Sequence, residues 1–333
     1  EKFIVGDKGA LEHSKSATED ESNPETGEKP ATSRLLTAWS CILYSFCAVS
    51  MVLVNKSLAS SYNHLIEGQG LNFLLVVFQS IIAVVAVEFS KLMGWVTYPN
   101  FNFDTAKQWM PVNVFFCAML FTGMASLQHN SVPMVTVFKN ITNILVAAGD
   151  FYFFNSPSEF LVKAAFGIML LGAVFAAKND ASVSFVGLFW MVMNCCATAG
   201  YVLYMKFATK TIKLSKFGMV FYNNLLCTIL LLPVTILNGE LALFANTTAI
   251  HTMGYGMKNA FAGFVGFFLN FASLNCVART GPSTYAIIGS LNKIPAALLG
   301  WILFNAEISP QSWFFIGVSM CGGFLYSYAK LKK

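Results

Sequence analysis

The chain has 333 residues, 56% of them hydrophobic and 11% charged, with a mean hydropathy of +0.61. That much apolar surface cannot be wrapped around one water-soluble core, which excludes a soluble globular enzyme and implies a polytopic membrane protein. The formal net charge of +5 suits an anionic ligand or an anionic membrane surface, and nothing in the pattern points to nucleic acid.

Residues 1–34 are the exception to the apolar composition. With eight acidic and five basic residues among Ser, Thr and Gly, this stretch cannot bury enough apolar surface to fold alone and reads as a disordered cytosolic tail. The remaining body carries +8. No positively charged start followed by a short apolar core is found at the N-terminus, so no cleaved signal peptide is expected and the first spanning helix directs insertion.

Apolar runs long enough to cross about 30 Å of hydrocarbon follow at 36–56, 70–91, 111–128, 132–152, 159–178, 184–206, 216–237, 256–277, 282–304 and 309–330. They predict an all-α protein of ten transmembrane helices. Arg34, Lys91, Lys107, Lys210, Lys213, Lys216, Lys330, Lys332 and Lys333 fall on one side if both termini are cytosolic, leaving mainly Lys56, Lys178 and Lys258 opposite. The same topology puts the glycosylation pattern Asn246-Thr247-Thr248 on the far side. All eight cysteines lie in apolar segments without metal-ligand spacing and read as small core residues; the four histidines are scattered. Neither a metal nor a cofactor is expected.

An internal repeat organises these helices. VLVNKSLA from Val52 returns as VLYMKFAT from Val202, FFNSPS from Phe153 returns as LFNAEISP from Leu303, and MASLQHNSVP (Met124 to Pro133) resembles FASLNCVARTGP (Phe271 to Pro282). Five helices therefore occur twice, over 35–178 and 179–333. An odd number of helices per copy forces the second copy to insert upside down, giving two inverted five-helix repeats with a site near the midplane.

Charge at membrane depth marks that site. YAIIGSLNKIPAALLGWILF, Tyr285 to Phe304, has the length and apolarity of a spanning helix, yet Asn292 and Lys293 sit at its middle. A lysine at the bilayer centre costs at least about 2.5 kcal/mol on insertion scales, so it faces a partner, a cavity or a ligand. The first half offers a second one in VTVFKNITNIL, with Lys139 beside Asn140 and Asn143. Helical geometry puts Tyr285, Gly289, Asn292, Lys293 and Ala296 on one face and Thr136, Lys139, Asn140 and Asn143 on another, so the two faces are expected to line one cavity. Lysines can also snorkel and asparagines can join helices structurally. Pro295 denies the Leu291 carbonyl its usual donor, which predicts a bend near the site.

Two stretches, MVFYNNLL (Met219 to Leu226) and IIGSLNKIP (Ile287 to Pro295), resemble the FYNN and GALNK motifs of the GDP-mannose transporters, nucleotide-sugar carriers of the drug/metabolite transporter superfamily. VFKN around Lys139 and LYSFCAVSMVLVNK ending at Lys56 fit the same family, so the resemblance covers essentially the whole membrane body. It implies a carrier that brings GDP-mannose, or a related GDP-sugar, into the Golgi lumen in exchange for GMP by alternating access, with no covalent chemistry; pairing into a homodimer is left open. Residue by residue, it implies base recognition by Asn223 and Asn224, with Tyr222 beside them and Asn270 as a further base contact. Tyr285 would meet the ribose, Tyr44 and Asn292 the sugar, and Lys293 with Lys139 the diphosphate. Gly289 lies on the same face as Tyr285 and Lys293. Ser290 stands beside the expected sugar pocket where the family's fungal pattern has alanine, which leaves the identity of the sugar open. Two other readings stand beside this one. A carrier of another phosphorylated solute, similar to the triose-phosphate translocators, is disfavoured by the FYNN stretch. An intramembrane enzyme acting on a lipid-linked sugar phosphate lacks a carboxylate pair, His cluster or metal site at membrane depth.

Overall fold

The computed structural model describes residues 31–66, 70–155, 159–180 and 183–331, apart from the side chains of 31–34, 274, 278, 281–283, 286, 330 and 331. The tail expected over 1–34 lies outside the described residues up to position 30, and the first helix already begins at Ala31. The elements are α1 (Ala31–Ser60), α2 (Asn72–Leu92), α3 (Phe103–His129), α4 (Val132–Phe154), α5 (Phe160–Lys178), α6 (Phe185–Thr211), α7 (Lys216–Leu237), a short α8 (Glu240–Asn246), α9 (Met253–Leu291), α10 (Lys293–Leu303) and α11 (Pro310–Leu331). No strand occurs among the described residues. Among the described residues, eight helices are both long and apolar enough to cross a bilayer, the last of these being Met253–Val277, and Ile287–Leu303 is a shorter apolar helix.

Helix starts follow from capping, because lipid offers no water to unpaired donors. Asn102, Ser131, Ser184, Ser215 and Thr252 each accept a backbone N–H from the first turn that follows them. Asn102 also explains one difference from the sequence reading. The apolar run begins at 111, but the cap starts α3 at Phe103 and leaves Pro111 inside the helix.

The expected eighth and ninth helices share the single element α9, yet the chain turns within it. Lys258 Nζ donates to Ser57 Oγ at 3.0 Å, and Cys276 Sγ lies 3.8 Å from Cys41 Sγ, so the first part of α9 runs antiparallel to α1. A straight continuation would leave α1 behind. Instead the Tyr285 ring sits 4.7 Å, centroid to centroid, from Tyr44, and a Cβ on Gly289 would lie 3.3 Å from Tyr44 Oη. The chain therefore reverses between Cys276 and Tyr285, the stretch that contains Gly281 and Pro282. A second break falls at Asn292, between α9 and α10. Asn292 itself keeps helical dihedrals, φ −60° and ψ −20°; Pro295 has no N–H to give the Leu291 carbonyl, and Ala296 N–H resumes the ladder on Asn292 O at 3.2 Å.

The helices pair in a regular pattern. α1 packs on α9 and α3 on α6; α2 lies along α7 and α5 along α11; α4 meets α6, α10 and α11. Close approach needs small residues, since lipid tails give no hydrophobic drive between helices. A Cβ added at Gly172 of α5 would lie 2.6 Å from the Ser319 amide nitrogen of α11. Buried Lys56 ties α1 to the end of α3, donating to Leu127 O at 2.7 Å and Asn130 O at 2.8 Å, carbonyls that the helix terminus leaves free. Two non-glycine residues among those described have positive φ, Asn155 at 49° and Asn305 at 46°. Asn155 follows the end of α4 and Asn305 that of α10, and asparagine is among the non-glycine residues that best tolerate this region. The cysteines depart in part from the core reading: Cys196 and Cys321 are exposed and Cys41 is half-buried, while the other five are buried. Facing lipid, an exposed apolar thiol needs no partner.

Gly172→Ala is expected to lower the melting temperature of purified protein in detergent. Gly167→Ala on the same helix, where an added Cβ meets nothing within 4 Å, is expected to leave it unchanged or raise it, by up to about 1 kcal/mol of helix propensity. Equal shifts in the two variants would contradict the close α5–α11 contact.

Candidate functional site

Helices α1, α2, α3, α4, α6, α7, α9, α10 and α11 enclose a cavity of about 780 Å³. Seven of the residues singled out by sequence line it: Lys139, Asn143, Asn224, Asn270, Gly289, Ser290 and Lys293. A smaller cavity of about 220 Å³ is lined by Asn223, Tyr201, Lys216 and Ser273, and shares Asn224 and Asn270 with the larger one. The two asparagines thus stand at a junction, with Lys139 and Lys293 on one side of it and Lys216 on the other. Among the described residues, no Asp or Glu lines either cavity.

Lys293 is the first residue of α10, placed there by the break at Asn292. Its ammonium donates to Asn140 Oδ1. Asn140 is fully buried and donates in turn to Ser319 O at 3.2 Å and Ser319 Oγ at 3.3 Å, while Ser319 Oγ donates to Met169 O at 3.2 Å. A neutral chain across α4, α11 and α5 therefore holds the cation without neutralising it. Lys139, the neighbour of Asn140, turns instead into the cavity, exposed and without an ion pair or hydrogen bond among the described residues. Two positive charges share one low-dielectric space with no carboxylate opposite them, an arrangement that favours an anion between them.

The FYNN stretch divides its labour. Tyr222 is buried, and its hydroxyl accepts the Asn102 N–H at 2.8 Å, joining α7 to the start of α3. Asn223 Oδ1 accepts from Trp109 Nε1 at 2.7 Å and its Nδ2 donates to Tyr201 Oη at 3.0 Å, so both ends of that amide already have protein partners. Asn224 differs. Its Nδ2 donates to Val220 O one turn back at 2.8 Å, which leaves Oδ1 without a partner among the described residues. Asn270 repeats the arrangement, donating to Gly266 O at 2.9 Å. A backbone carbonyl only accepts, so each amide must turn its N–H inward and its oxygen toward the cavity. The pair presents two acceptors at the junction.

The remaining expected residues lie outside the lining. Tyr44 and Tyr285 meet with their rings tilted by 36° beside Gly289, and Asn292 is buried with its Nδ2 unpartnered among the described residues. Polar lining residues that the sequence reading did not single out include Asn55, Gln79, Asn194 and Ser327. Gln79 Nε2 donates to Asn55 Oδ1 at 3.0 Å, and Asn194 Nδ2 donates to Met119 O at 2.9 Å. A lone amide within an apolar helix was the available signal for Asn194.

Membrane-length helices around a cationic, amide-lined cavity define a membrane protein with an internal site for an anionic solute. The model of the EamA-like transporter family matches residues 185–328. The GDP-mannose transporter GONST1 of Arabidopsis thaliana is 34% identical over 92% of this chain and 93% of its own length. A GDP-mannose transporter of Aspergillus fumigatus is 33% identical over 88% of this chain and 80% of its own, and GONST2 of Arabidopsis thaliana is 34% identical over 86% and 77%. The chain belongs to the GDP-mannose transporter family of nucleotide-sugar transporters.

Asn140→Asp supplies the neutralising carboxylate that the cavity lacks. Asp cannot donate to Ser319 O as the Asn140 amide does, so the melting temperature is expected to fall, and the folded fraction is expected to bind GMP about tenfold or more weakly, the scale of one charge-assisted hydrogen bond. Titration calorimetry on the purified chain checks this. Parental GMP affinity in folded Asn140→Asp would contradict a site that depends on free positive charge.

Proposed function

We propose that the protein carries GDP-mannose across the Golgi membrane into the lumen in exchange for GMP, by alternating access of two inverted halves, 35–178 and 179–333. The observation that carries this reading is the composition of the cavity, in which two lysines without counter-charges lie to one side of two free amide oxygens. Guanine offers N1–H and N2–H donors side by side, the complement of two acceptors. Asn224 and Asn270 take the base, Lys139 and Lys293 the diphosphate. The names of the relatives agree with this assignment.

Tyr44, Tyr222, Tyr285, Asn223 and Asn292 then act mainly by support. Trp109 and Tyr201 hold Asn223, and Asn223 holds the turn that carries Asn224. The paired tyrosines back Gly289, where a side chain would press on Tyr44. Alternating access is supported by the helix pairings. Exchanging α1 through α5 for α6, α7, the two arms of α9 with α10, and α11 turns the α1–α9 contact into the α6–α3 contact and leaves α2–α7 and α5–α11 unchanged. Asn155 and Asn305, both left-handed, are 150 positions apart, the spacing of the repeat. Inverted halves of that kind rock about a fixed midplane site. The basic bias of the sequence supports cytosolic termini.

Exchange follows from the two lysines. An empty carrier must occlude both cations each time it reorients, and each buried uncompensated ion costs several kcal/mol. GDP-mannose and GMP both bring negative phosphate and lower that barrier. Proteoliposomes preloaded with GMP are therefore expected to take up labelled GDP-mannose faster than those preloaded with AMP or buffer. Equal initial rates in all three would remove obligatory exchange. The base assignment has its own test: Asn224→Ala is expected to weaken GMP and GDP-mannose together, by about tenfold for a loss of about 1.4 kcal/mol, and unchanged GMP affinity would take Asn224 out of the site.

A further inference from the structure

The smaller cavity holds a third cation, Lys216, that neither the phosphate end nor the amide junction uses. Helix α7 faces this cavity with Lys216, Met219, Val220, Asn223 and Asn224, the spacing of one helical face. Lys216 and Asn224 lie about 12 Å apart along the helix axis. The Asn224 amide folds back onto Val220 O, toward Lys216, and narrows that gap from its own side. Lys216 is exposed and has no ion pair or hydrogen bond among the described residues. Much of the remaining polar lining is engaged: Trp109 and Tyr201 hold Asn223, and Ser273 donates to Asn270 O at 2.8 Å. The groups left for a ligand are the Asn224 and Asn270 oxygens, the Tyr201 proton and the Lys216 ammonium, and only the last is charged.

A cavity of about 220 Å³ has room for one nucleobase and not for a whole nucleotide. The phosphates then belong in the larger cavity, with Lys139 and Lys293. Two amide oxygens satisfy the N1–H and N2–H of guanine, but they leave its other polar edge, the O6 and N7 acceptors, without a donor. That edge is the one to which Lys or Arg donates in the commonest specific contact with this base. An ammonium on the same face of α7 supplies the missing donor. Adenine carries an N6–H2 donor where guanine has O6, and an ammonium cannot accept from it. We propose that Lys216 donates to the O6 and N7 edge of the base and is a determinant of guanine over adenine. The proposal rests on the GDP-sugar reading and deepens it at one residue.

The test is competition by GMP, guanosine and AMP against labelled GMP on the purified full chain, because the three ligands separate base from phosphate. Lys216→Met removes the ammonium and keeps the length of the side chain. It is expected to weaken GMP and guanosine by the same factor, about fivefold to tenfold, the low end for a base-edge contact, and to leave AMP within about twofold of its parental affinity. Lys216→Arg keeps donors for the same edge and should stay within about twofold of the parent for GMP and guanosine. Melting temperature in detergent reports that each variant is folded; if Lys216→Met does not fold, Lys216→Ala takes its place. Weakening of GMP and AMP with guanosine unchanged would assign Lys216 to phosphate and overturn the proposal. Unchanged affinity for all three ligands, or a loss that Lys216→Arg shares, would overturn it too, and each of these outcomes leaves the carrier reading intact. A parent chain that does not bind GMP would instead overturn the reading on which the proposal rests.

Discussion

An ammonium group inside a bilayer has to be solvated by something, and the structure supplies neutral oxygen in place of a carboxylate. Lys293 rests on Asn140, Asn140 on Ser319, and Ser319 on a backbone carbonyl of α5. An ion pair would satisfy Lys293 more completely, but it would also cancel the charge. A hydrogen-bonded yet uncancelled cation keeps its attraction for an anion, which suits a site that must bind, release and bind again. The helix break that presents Lys293, the burial of Asn140 and the glycine contacts that bring α5 and α11 together all serve this one compromise.

The same economy of partners recurs at the other end of the cavity. Asn223 and Asn224 are adjacent and chemically identical, and their environments separate them. One is held at both ends by Trp109 and Tyr201 and becomes structure; the other spends only its N–H groups, on its own helix, and keeps an oxygen for a ligand. Asn270 on α9 makes the matching choice from the opposite wall. The larger cavity acquires direction in this way, with the Asn224 and Asn270 oxygens at its junction with the smaller one and the Lys139 and Lys293 ammonium groups away from it; the proposed function uses the first for the base and the second for phosphate.

Much of this was legible in the sequence where a local rule is broken conspicuously. Lysines within apolar runs, Pro295 two residues after Lys293, and the Gly281-Pro282 pair announce the cations, the break and the turn. Signals that depend on a distant partner were not legible. Nothing local distinguishes Asn223 from Asn224, because the difference is Trp109, on another helix. Ser319 and Ser327 look like ordinary small residues of a packing face, since serine in a helix normally bonds back to its own turn. Tyr44 and Tyr285, read as separate ligand contacts, meet each other through the α1–α9 packing.

The central claim is that the uncancelled charge of Lys139 and Lys293 supplies much of the affinity. It is tested most directly by comparing guanosine with GMP on the purified parent chain in one titration series, because the two ligands share the base and ribose and differ only in the phosphate. The account predicts that guanosine binds about tenfold to a hundredfold more weakly than GMP, the span of a charge-assisted interaction. Guanosine binding as tightly as GMP would contradict it.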